Sequence, residues 1–439
     1  MTPSSGEGEA SGLGAAASGP LTNARRVAVA VIDQGLVAFG TFTLNVLLAR
    51  AVTPHDYGVF VLAYSAVLFA GEIQNALLLE PMAVFGAATD GEDRRRYLGA
   101  VLLFQVLTTG ILMAVVWIAC GLWLLFFGRG AAIGTVAVMA LGLFGVQSRE
   151  FMRRVFYACL APERALRVDL AYLVLLMGGL IVAAKHGGLD AWTTFLLLAV
   201  SGTGAAVLGL YLAGVSAAAG RTEVTNILRR HWGYGRWMTA TAGVRWASNE
   251  LYYVIVGIVL GPAGTGALKA LQNVFAPASL FLAGVGNFFL PTASRHARRG
   301  TADGLHRLNV VFASVLGIAT LLYGAAASAS PATTLRLLYD GKYLEYAPLL
   351  TLLAAGYLLM AVSQAPSLSL RALGRPQTVF VISAACTLIS AAAAFPLAAR
   401  WGLPGAIIAW LSTFVIGAPL WAREYLRAVR HPALDASRL

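Results

Sequence analysis

Twelve apolar runs of about 20 residues follow one another along this chain, separated by polar gaps. A helix of about 20 residues crosses the roughly 30 Å hydrocarbon core of a membrane, so each run has the length of a transmembrane span. Only 12% of the residues are charged, whereas soluble proteins average about 25%. The sequence therefore predicts an all-α polytopic membrane protein and excludes a soluble core. The predicted spans are approximately 27–49, 58–79, 98–119, 131–147, 166–184, 191–214, 238–260, 268–290, 308–328, 348–370, 379–399 and 404–425.

The basic residues alternate between the two sides of the predicted membrane. Of the 32 Lys and Arg residues, 24 fall in one set of alternate gaps and seven in the other. Short loops rich in basic residues stay in the cytoplasm, so both termini are expected on the cytoplasmic side. The predicted location is the inner membrane of a bacterium. This topology explains the net charge of +12 without a nucleic-acid partner. One cation, Arg245, lies inside the seventh span.

A repeated motif indicates two halves of six spans each. Pro54-x-x-x-Gly58 follows the first span, and Pro262-x-x-x-Gly266 follows the seventh, 208 residues later. Parallel repeats of this kind place a substrate cavity between the halves. The predicted organisation is a disordered cytoplasmic tail at 1–24, an N-terminal half at 25–214, an amphipathic cytoplasmic linker at 215–237, a C-terminal half at 238–427 and a tail at 428–439.

Ionisable residues in the seventh span are the first candidates for function. Arg245 and Glu250 each cost about 2.5 to 3.5 kcal/mol at the centre of a membrane helix, so we expect them to face a cavity or a partner. At helical spacing, Arg245 shares a face with Asn249 and Tyr252. An arginine binds phosphate groups bidentately, so this face is a candidate for an anionic substrate. The alternative is that Arg245 is held in a buried salt bridge with a carboxylate such as Asp33 or Glu72.

Polar residues in the first two spans form a second set of candidates. A polar stripe runs from Gln34 to Asn45 in the first span with Asp33 beside it, and the second span contains Glu72. Hydrogen bonds between helices are an equally good explanation for residues such as Asn45. Buried carboxylates can exchange a proton or bind Na⁺, which predicts an ion-coupled antiporter. The predicted substrate-binding residues are Arg245, Asn249, Tyr252, Gln34 and Asn45, and the predicted ion-coupling residues are Glu250, Asp33 and Glu72.

No motif of a soluble enzyme is found in the sequence: it contains no P-loop, no G-x-S-x-G, no H-E-x-x-H and no dinucleotide-binding glycine pattern. The histidines and cysteines do not have the spacing of a metal site. We therefore expect a transporter with neither catalytic residues nor a bound metal or cofactor, apart from H⁺ or Na⁺ as a coupling ion.

Three stretches resemble the polysaccharide flippases of the multidrug/oligosaccharidyl-lipid/polysaccharide exporter (MOP) superfamily. The first, at 47–60, reads LLARAVTPHDYGVF and covers the end of one span and the start of the next. The second begins at Asn249-Glu250 and ends in a glycine-rich segment at 261–266, interpreted as a turn. The third comprises LYDGKY at 338–343, APLL at 347–350 and RALGRP at 371–376. The resemblance extends over nearly the whole chain.

The resemblance implies a function. Members of that family move polyprenyl-pyrophosphate-linked oligosaccharides, such as O-antigen or exopolysaccharide repeat units, from the cytoplasmic to the outer leaflet by alternating access. Their partners would include the lipid bilayer, a polysaccharide polymerase and a chain-length regulator. The related lipid II flippases have additional spans and several cavity arginines, unlike this sequence. A multidrug or cation exporter of the same superfamily is the alternative. A glycan polymerase or ligase is disfavoured because the longest outward gap, 331–347, is too short for a catalytic domain.

Overall fold

The computed structural model describes residues 20–86, 91–127, 131–214, 221–298 and 302–430, and every regular element in these ranges is helical. Several helices begin at a proline, which suits the first helical turn because its fixed φ is helical and its missing N–H would have no partner there. The α-helices are α1 Pro20–Ala51, α2 Pro54–Gln74, α3 Glu80–Gly86, α4 Gly91–Phe127, α5 Ala131–Ala158, α6 Pro162–Lys185, α7 Ala191–Ala213, α8 Arg221–Val274, α9 Ala276–Arg298, α10 Ala302–Ala329, α11 Pro331–Tyr339, α12 Leu349–Ala372, α13 Pro376–Trp401 and α14 Leu403–Arg430. A π-helix, Asn75–Leu79, joins α2 to α3, and a 3₁₀-helix, Leu344–Tyr346, precedes α12.

Ten helical segments in the described residues are long and apolar enough to cross a membrane. They coincide with ten of the twelve predicted spans, so the prediction of an all-α multi-pass membrane protein is confirmed. The fourth predicted span lies in α5, which has 28 residues. The predicted terminal tails fall mostly outside the described residues, although α1 already begins at Pro20 and α14 extends to Arg430.

The eighth predicted span differs from the structure. We expected it to begin at residue 268 after a glycine-rich turn, but the helix resumes at Pro262, directly after a kink at Gly261. Gly261 has φ 77° and ψ 177°, a conformation that only glycine adopts readily, so one residue replaces the expected turn. A break at Phe275 then separates α8 from α9. The described part of the predicted linker, from Arg221, is helical and continuous with the seventh span.

The chain divides into two compact units. As far as the chain is described, unit 1 comprises the residues up to Val37 together with Val67–Ile181 and Thr194–Gly243. Unit 2 comprises Ala38–Ala66, Val182–Thr193 and the residues from Val244 onwards. The first two spans are thus shared between the units. The predicted halves at 25–214 and 238–427 stay a prediction.

In unit 1, the N-terminal part of α8 is anchored by a buried histidine. The His231 ring lies 2.9 Å from the hydroxyl of Tyr97 through Nε2 and 3.3 Å from the carbonyl oxygen of Leu77 through Nδ1. Leu77 belongs to the π-helix, whose wider turn interrupts the regular helical hydrogen bonds. Phe85 and Phe104 pack around the same ring, with centroids 5.9 Å away. The amphipathic segment is therefore fixed to the irregular end of the second span.

Burial of His231 predicts acid-sensitive stability. Desolvation lowers the pKa of His231 to about 4, from about 6.5 in an unfolded chain. The hydrogen bond to the Leu77 carbonyl opposes this shift, and the nearby charge of Arg230 adds a smaller lowering. Because the folded protein favours the neutral form of His231, this group contributes its full stabilisation above pH 6.5. The contribution is lost as the pH falls towards 4. We expect the melting temperature of the purified protein in detergent to fall between pH 7 and pH 5, and to fall less in His231→Gln. The exposed His55 provides the control, since His55→Gln should keep the wild-type pH dependence. If the melting temperatures of all three proteins fell equally between pH 7 and pH 5, the prediction would be wrong.

In unit 2, the two copies of the P-x-x-x-G motif pack against each other. A β-carbon on Gly58 would overlap with the carbonyl oxygen of Pro262, and one on Gly266 would overlap with the carbonyl oxygen of Pro54. The contact is reciprocal, because each glycine meets the proline of the other copy. Glycine at both positions allows the two backbones to approach more closely than any side chain would permit.

A lysine from the third family-like stretch completes this region of unit 2. The Nζ atom of Lys342 donates to the carbonyl oxygens of Arg50 and Val52, at 2.6 and 2.7 Å, where α1 ends. These carbonyls have no partner within the helix, and a cation at a helix C-terminus also interacts favourably with its dipole. Arg50 forms an ion pair at 3.7 Å with Asp340, two residues before Lys342. The three family-like stretches therefore all contribute to unit 2.

Candidate functional site

The strongest concentration of charge in unit 1 surrounds Asp33, a predicted ion-coupling residue. Its carboxylate is fully buried, and Oδ2 accepts hydrogen bonds from Arg153 Nε and Nη2, both at 3.3 Å, and from the Tyr157 hydroxyl at 2.6 Å. The other oxygen, Oδ1, has no hydrogen-bond donor among the described residues. A buried carboxylate oxygen in this situation is costly unless a proton or a cation is bound there.

The cluster continues to a second buried carboxylate. Arg153 Nε lies 2.8 Å from Asp169 Oδ2, and Arg149 Nη1 lies 3.0 Å from Asp169 Oδ1. Glu150 is close to both arginines, at 3.6 and 3.5 Å. The sequence places Arg149 and Arg153 among the 24 basic residues of the predicted cytoplasmic gaps, yet their side chains are only 9% and 8% exposed. The long arginine stems bring both guanidinium groups to carboxylates on α1 and α6, so position in the sequence alone was a poor guide to their environment.

The other two candidates in unit 1 are more accessible. Gln34 is exposed, although it is next to the buried Asp33, and Glu72 is half-buried. Two residues after Glu72, Gln74 is buried and donates to Gln105 Oε1 at 2.7 Å and to the carbonyl oxygen of Gln147 at 2.9 Å. This amide cluster ends where the π-helix begins, and π-helical turns are frequent at functional sites. No pattern in the sequence indicated the π-helix.

Arg245 and Asn249 lie in unit 2 on the membrane helix Ala242–Val274, and both side chains are exposed. Asn249 Nδ2 donates to the carbonyl oxygen of Arg245 at 3.1 Å, one turn earlier in the same helix. Asp33, one of the two carboxylates named as possible partners of Arg245, is bound by Arg153 within unit 1.

Glu250 is held by a hydroxyl group within unit 2. Ser65 Oγ donates to Glu250 Oε2 at 2.7 Å, and the indole nitrogen of Trp246 donates to the carbonyl oxygen of Ser65 at 2.9 Å. Glu250 is half-buried. A carboxylate held by one neutral donor has remaining lone pairs for a proton or a cation.

Tyr252 and Asn45 are both buried, with their polar atoms occupied. The Tyr252 hydroxyl is hydrogen-bonded to Ser390 and lies 3.0 Å from Thr413 Oγ1. Asn45 Oδ1 accepts from the Tyr57 hydroxyl at 2.9 Å, and Asn45 Nδ2 donates to the carbonyl oxygen of Thr41 at 2.8 Å. These contacts fit the interpretation of Asn45 as a bond between helices. The binding roles of Tyr252 and Asn45 stay predictions.

Lys269 is a second cation within an apolar helix. In the sequence prediction it is one of the seven cations counted in the outward gaps, although it is the second residue of the predicted span 268–290. The helix resumes at Pro262, so Lys269 lies inside the apolar segment Ala242–Val274. Arg245 is thus not the only cation within a membrane helix of the described residues.

Comparison with solved structures identifies the fold. The chain is similar to an inward-facing multidrug resistance MATE family transporter of the MOP superfamily, with a TM-score of 0.69 and 12% identity over 93% of this chain and 99% of that one. It is similar to the lipid II flippase MurJ in an inward closed conformation, with a TM-score of 0.68 and 14% identity over 94% and 90% of the two chains. A MOP superfamily transporter from Pyrococcus furiosus gives a TM-score of 0.65 at 10% identity, over 94% and 96%. No protein-family model and no curated protein matches the sequence. The chain has the fold of MOP superfamily transporters, which agrees with the superfamily resemblance of its three stretches.

Proposed function

We propose that this chain is a flippase that moves polyprenyl-pyrophosphate-linked oligosaccharide repeat units from the cytoplasmic to the outer leaflet of the bacterial inner membrane. The fold supports transport, since solved MOP structures include both multidrug transporters and a lipid II flippase. The three stretches that resemble polysaccharide flippases support the oligosaccharide class of substrate. In this proposal the chain has no catalytic role and its termini are cytoplasmic. It delivers the repeat units to a polysaccharide polymerase and a chain-length regulator.

The observation that carries the proposal is the exposed guanidinium of Arg245 on an apolar helix. Arg245 is the fourth residue of the apolar segment Ala242–Val274, where a permanently charged group is unfavourable unless it reaches water or an anion, and contact with a substrate anion would satisfy it. A guanidinium matches the oxygens of a pyrophosphate bidentately, and it stays charged at any pH a cell reaches.

Ion coupling is the second part of the proposal. The buried Asp33 has an oxygen without a donor in the described residues, and Glu250 is held by Ser65. Either carboxylate can take up H⁺ or Na⁺, and the half-buried Glu72 is a third candidate. Binding and release of the ion would then bias the alternating conformations that carry the substrate across the membrane.

A multidrug exporter is the second candidate, because the MATE family transporter shares the fold at a TM-score similar to that of the lipid II flippase. Such a protein would move organic cations, and an exposed arginine would repel them. The charge of Arg245 therefore favours an anionic substrate.

Reconstitution in lipid vesicles tests the function directly. We expect the wild-type protein to move a polyprenyl-pyrophosphate-linked oligosaccharide between leaflets, measured by the access of an external glycosidase to the sugar. Arg245→Ala should slow this movement at least tenfold, because a charge-assisted bidentate contact is worth roughly 1.5 to 3 kcal/mol. Arg245→Lys should keep part of the rate, since it keeps the charge but not the bidentate geometry.

The matched control is Arg400→Ala, which removes an exposed arginine from the last turn of α13 and should leave the rate unchanged. An imposed proton or sodium gradient should accelerate the wild-type protein, and Asp33→Asn should remove that acceleration. Transport of a cationic dye without movement of the lipid-linked sugar would overturn the proposal in favour of a drug exporter.

A further inference from the structure

Lys269 is one of only three lysines in this chain, and the other two have evident environments. Lys185 is exposed at the end of α6, and Lys342 donates to the carbonyl groups at the end of α1. Lys269 is the eighth residue after the kink at Gly261, about 12 Å along the helix at 1.5 Å per residue. Its half-buried ammonium group therefore lies well inside an apolar segment.

The contacts of Lys269 in unit 2 are all to neutral groups. Its Nζ atom lies 4.7 Å from the centroid of the Tyr253 ring and 3.3 Å from the Tyr253 hydroxyl. A cation over an aromatic face and a neutral hydrogen bond offset only part of the cost of burying the charge. Lys269 has no carboxylate partner among the described residues. The site therefore has a positive charge that an external anion can neutralise.

Gln272 extends the same site by one helical turn. Its side-chain oxygen accepts a hydrogen bond from the buried Tyr253 hydroxyl. The amide nitrogen has no acceptor among the described residues, so it remains able to donate to a ligand. The ammonium of Lys269 and the amide of Gln272 together supply the donors that the oxygens of a phosphate group require.

A row of aromatic side chains begins beside these donors. The Tyr357 hydroxyl lies 3.5 Å from the backbone oxygen of Gln272, and its ring centroid lies 5.3 Å from that of the half-buried Trp410. Phe414 follows, with its ring centroid 5.1 Å from Trp410. Aromatic surfaces beside a few fixed polar groups are typical of small-molecule sites.

We infer that Lys269, Gln272 and Tyr253 form a binding site in unit 2 for the phosphate groups of a polyprenyl-linked sugar. This inference rests on the proposed function and adds residues that are independent of Arg245. Lys269 neutralises the phosphate charge, Gln272 donates to a phosphate oxygen, and Tyr253 positions both side chains. In this inference the half-buried Trp410 and Phe414, which continue the aromatic row from Tyr357, offer the surface for the sugar portion.

Chemical protection of the three lysines tests the site in the wild-type protein. The purified full chain in detergent is treated with an amine-acetylating reagent, and the modification of each lysine is measured by mass spectrometry. We expect a polyprenyl pyrophosphate to reduce acetylation of Lys269 at least fivefold, and the same polyprenol without phosphate to have no effect. Lys185 serves as the internal control and should react equally in all samples. A Lys269 that stays unreactive without ligand, or that reacts equally with ligand, would contradict an open anion site.

Binding measurements on variants provide the second test. We expect Lys269→Gln to weaken binding of radiolabelled polyprenyl pyrophosphate at least tenfold, Lys269→Arg less than threefold, and Lys185→Gln not at all. Wild-type protein that fails to bind the polyprenyl pyrophosphate would overturn the proposed function, whereas binding that Lys269→Gln leaves intact would overturn only the site. Equal protection of Lys269 by inorganic pyrophosphate would identify a free-anion site and overturn the lipid-linked assignment. The acetylation result needs no variant, so it holds even if Lys269→Gln does not fold.

Discussion

Gly58→Ala is expected to destabilise the protein strongly, although alanine is the better helix former. An alanine inside a helix normally gains about 1 kcal/mol over glycine. At Gly58 the new methyl group would overlap with the backbone oxygen of Pro262, which cannot move aside like the end of a flexible side chain. Overpacking costs about 1 to 3 kcal/mol and occasionally more, and a rigid backbone neighbour favours the upper end. We therefore expect the melting temperature in detergent to fall by several degrees, with an accompanying loss of transport.

The reciprocal position provides a second measurement of the same contact. Gly266→Ala should have a similar effect, because its methyl group would overlap with the backbone oxygen of Pro54. Gly178→Ala is the matched control: nothing lies within 4 Å of the added methyl group, so it should leave the stability unchanged or raise it. If Gly58→Ala and Gly178→Ala had the same melting temperature, the close contact between the two motifs would be wrong.

The reciprocal contact also shows what could be predicted from the sequence. The spacing of 208 residues between the two motifs indicated a repeat, but not that the copies touch each other. Apolar runs predicted the helices well, since hydrocarbon requires about 20 apolar residues wherever a helix crosses it. The same rule failed at residues 261–268, because Gly-Pro is compatible with both a loop and a one-residue kink. The helix therefore begins six residues earlier than predicted, which moves Lys269 from the edge of the predicted span into its interior.

The environments of the charged side chains were harder to predict. Counting arginines by gap gave an orientation, but it says nothing about where a flexible stem places the guanidinium. Arg149 and Arg153 near the end of α5 reach Asp169 and Asp33, which are 20 and 120 residues away in sequence. Asp33 was predicted as an ion-coupling carboxylate, and the structure shows that it is fully buried. Its partner could not be found by helical spacing, because contacts between distant helices leave no periodic pattern in one sequence.

Arg153→Gln is expected to be the most destabilising change in the buried ionic cluster of unit 1. Its guanidinium group lies between Asp33 and Asp169, both fully buried, so its removal leaves two carboxylates with too little positive charge. Removing one partner of a buried ion pair typically costs about 3 to 5 kcal/mol, mostly because the remaining charge is uncompensated. Denaturant titration of the purified protein in detergent micelles measures the free energy of unfolding.

The neighbouring arginine gives a matched control for the loss of charge. Arg154 forms an ion pair with Glu150 at 3.0 Å, but its side chain is 49% exposed, against 8% for Arg153. Surface pairs contribute about 0 to 1 kcal/mol, so Arg154→Gln should have little effect. Adding Asp33→Asn to Arg153→Gln should restore part of the lost stability, because it removes one of the two uncompensated carboxylates while Asp169 keeps Arg149. The prediction would be wrong if Arg153→Gln and Arg154→Gln destabilised the protein equally, or if the double variant showed no recovery. Either result would show that the buried ion pair between Arg153 and Asp33 does not determine the stability of unit 1.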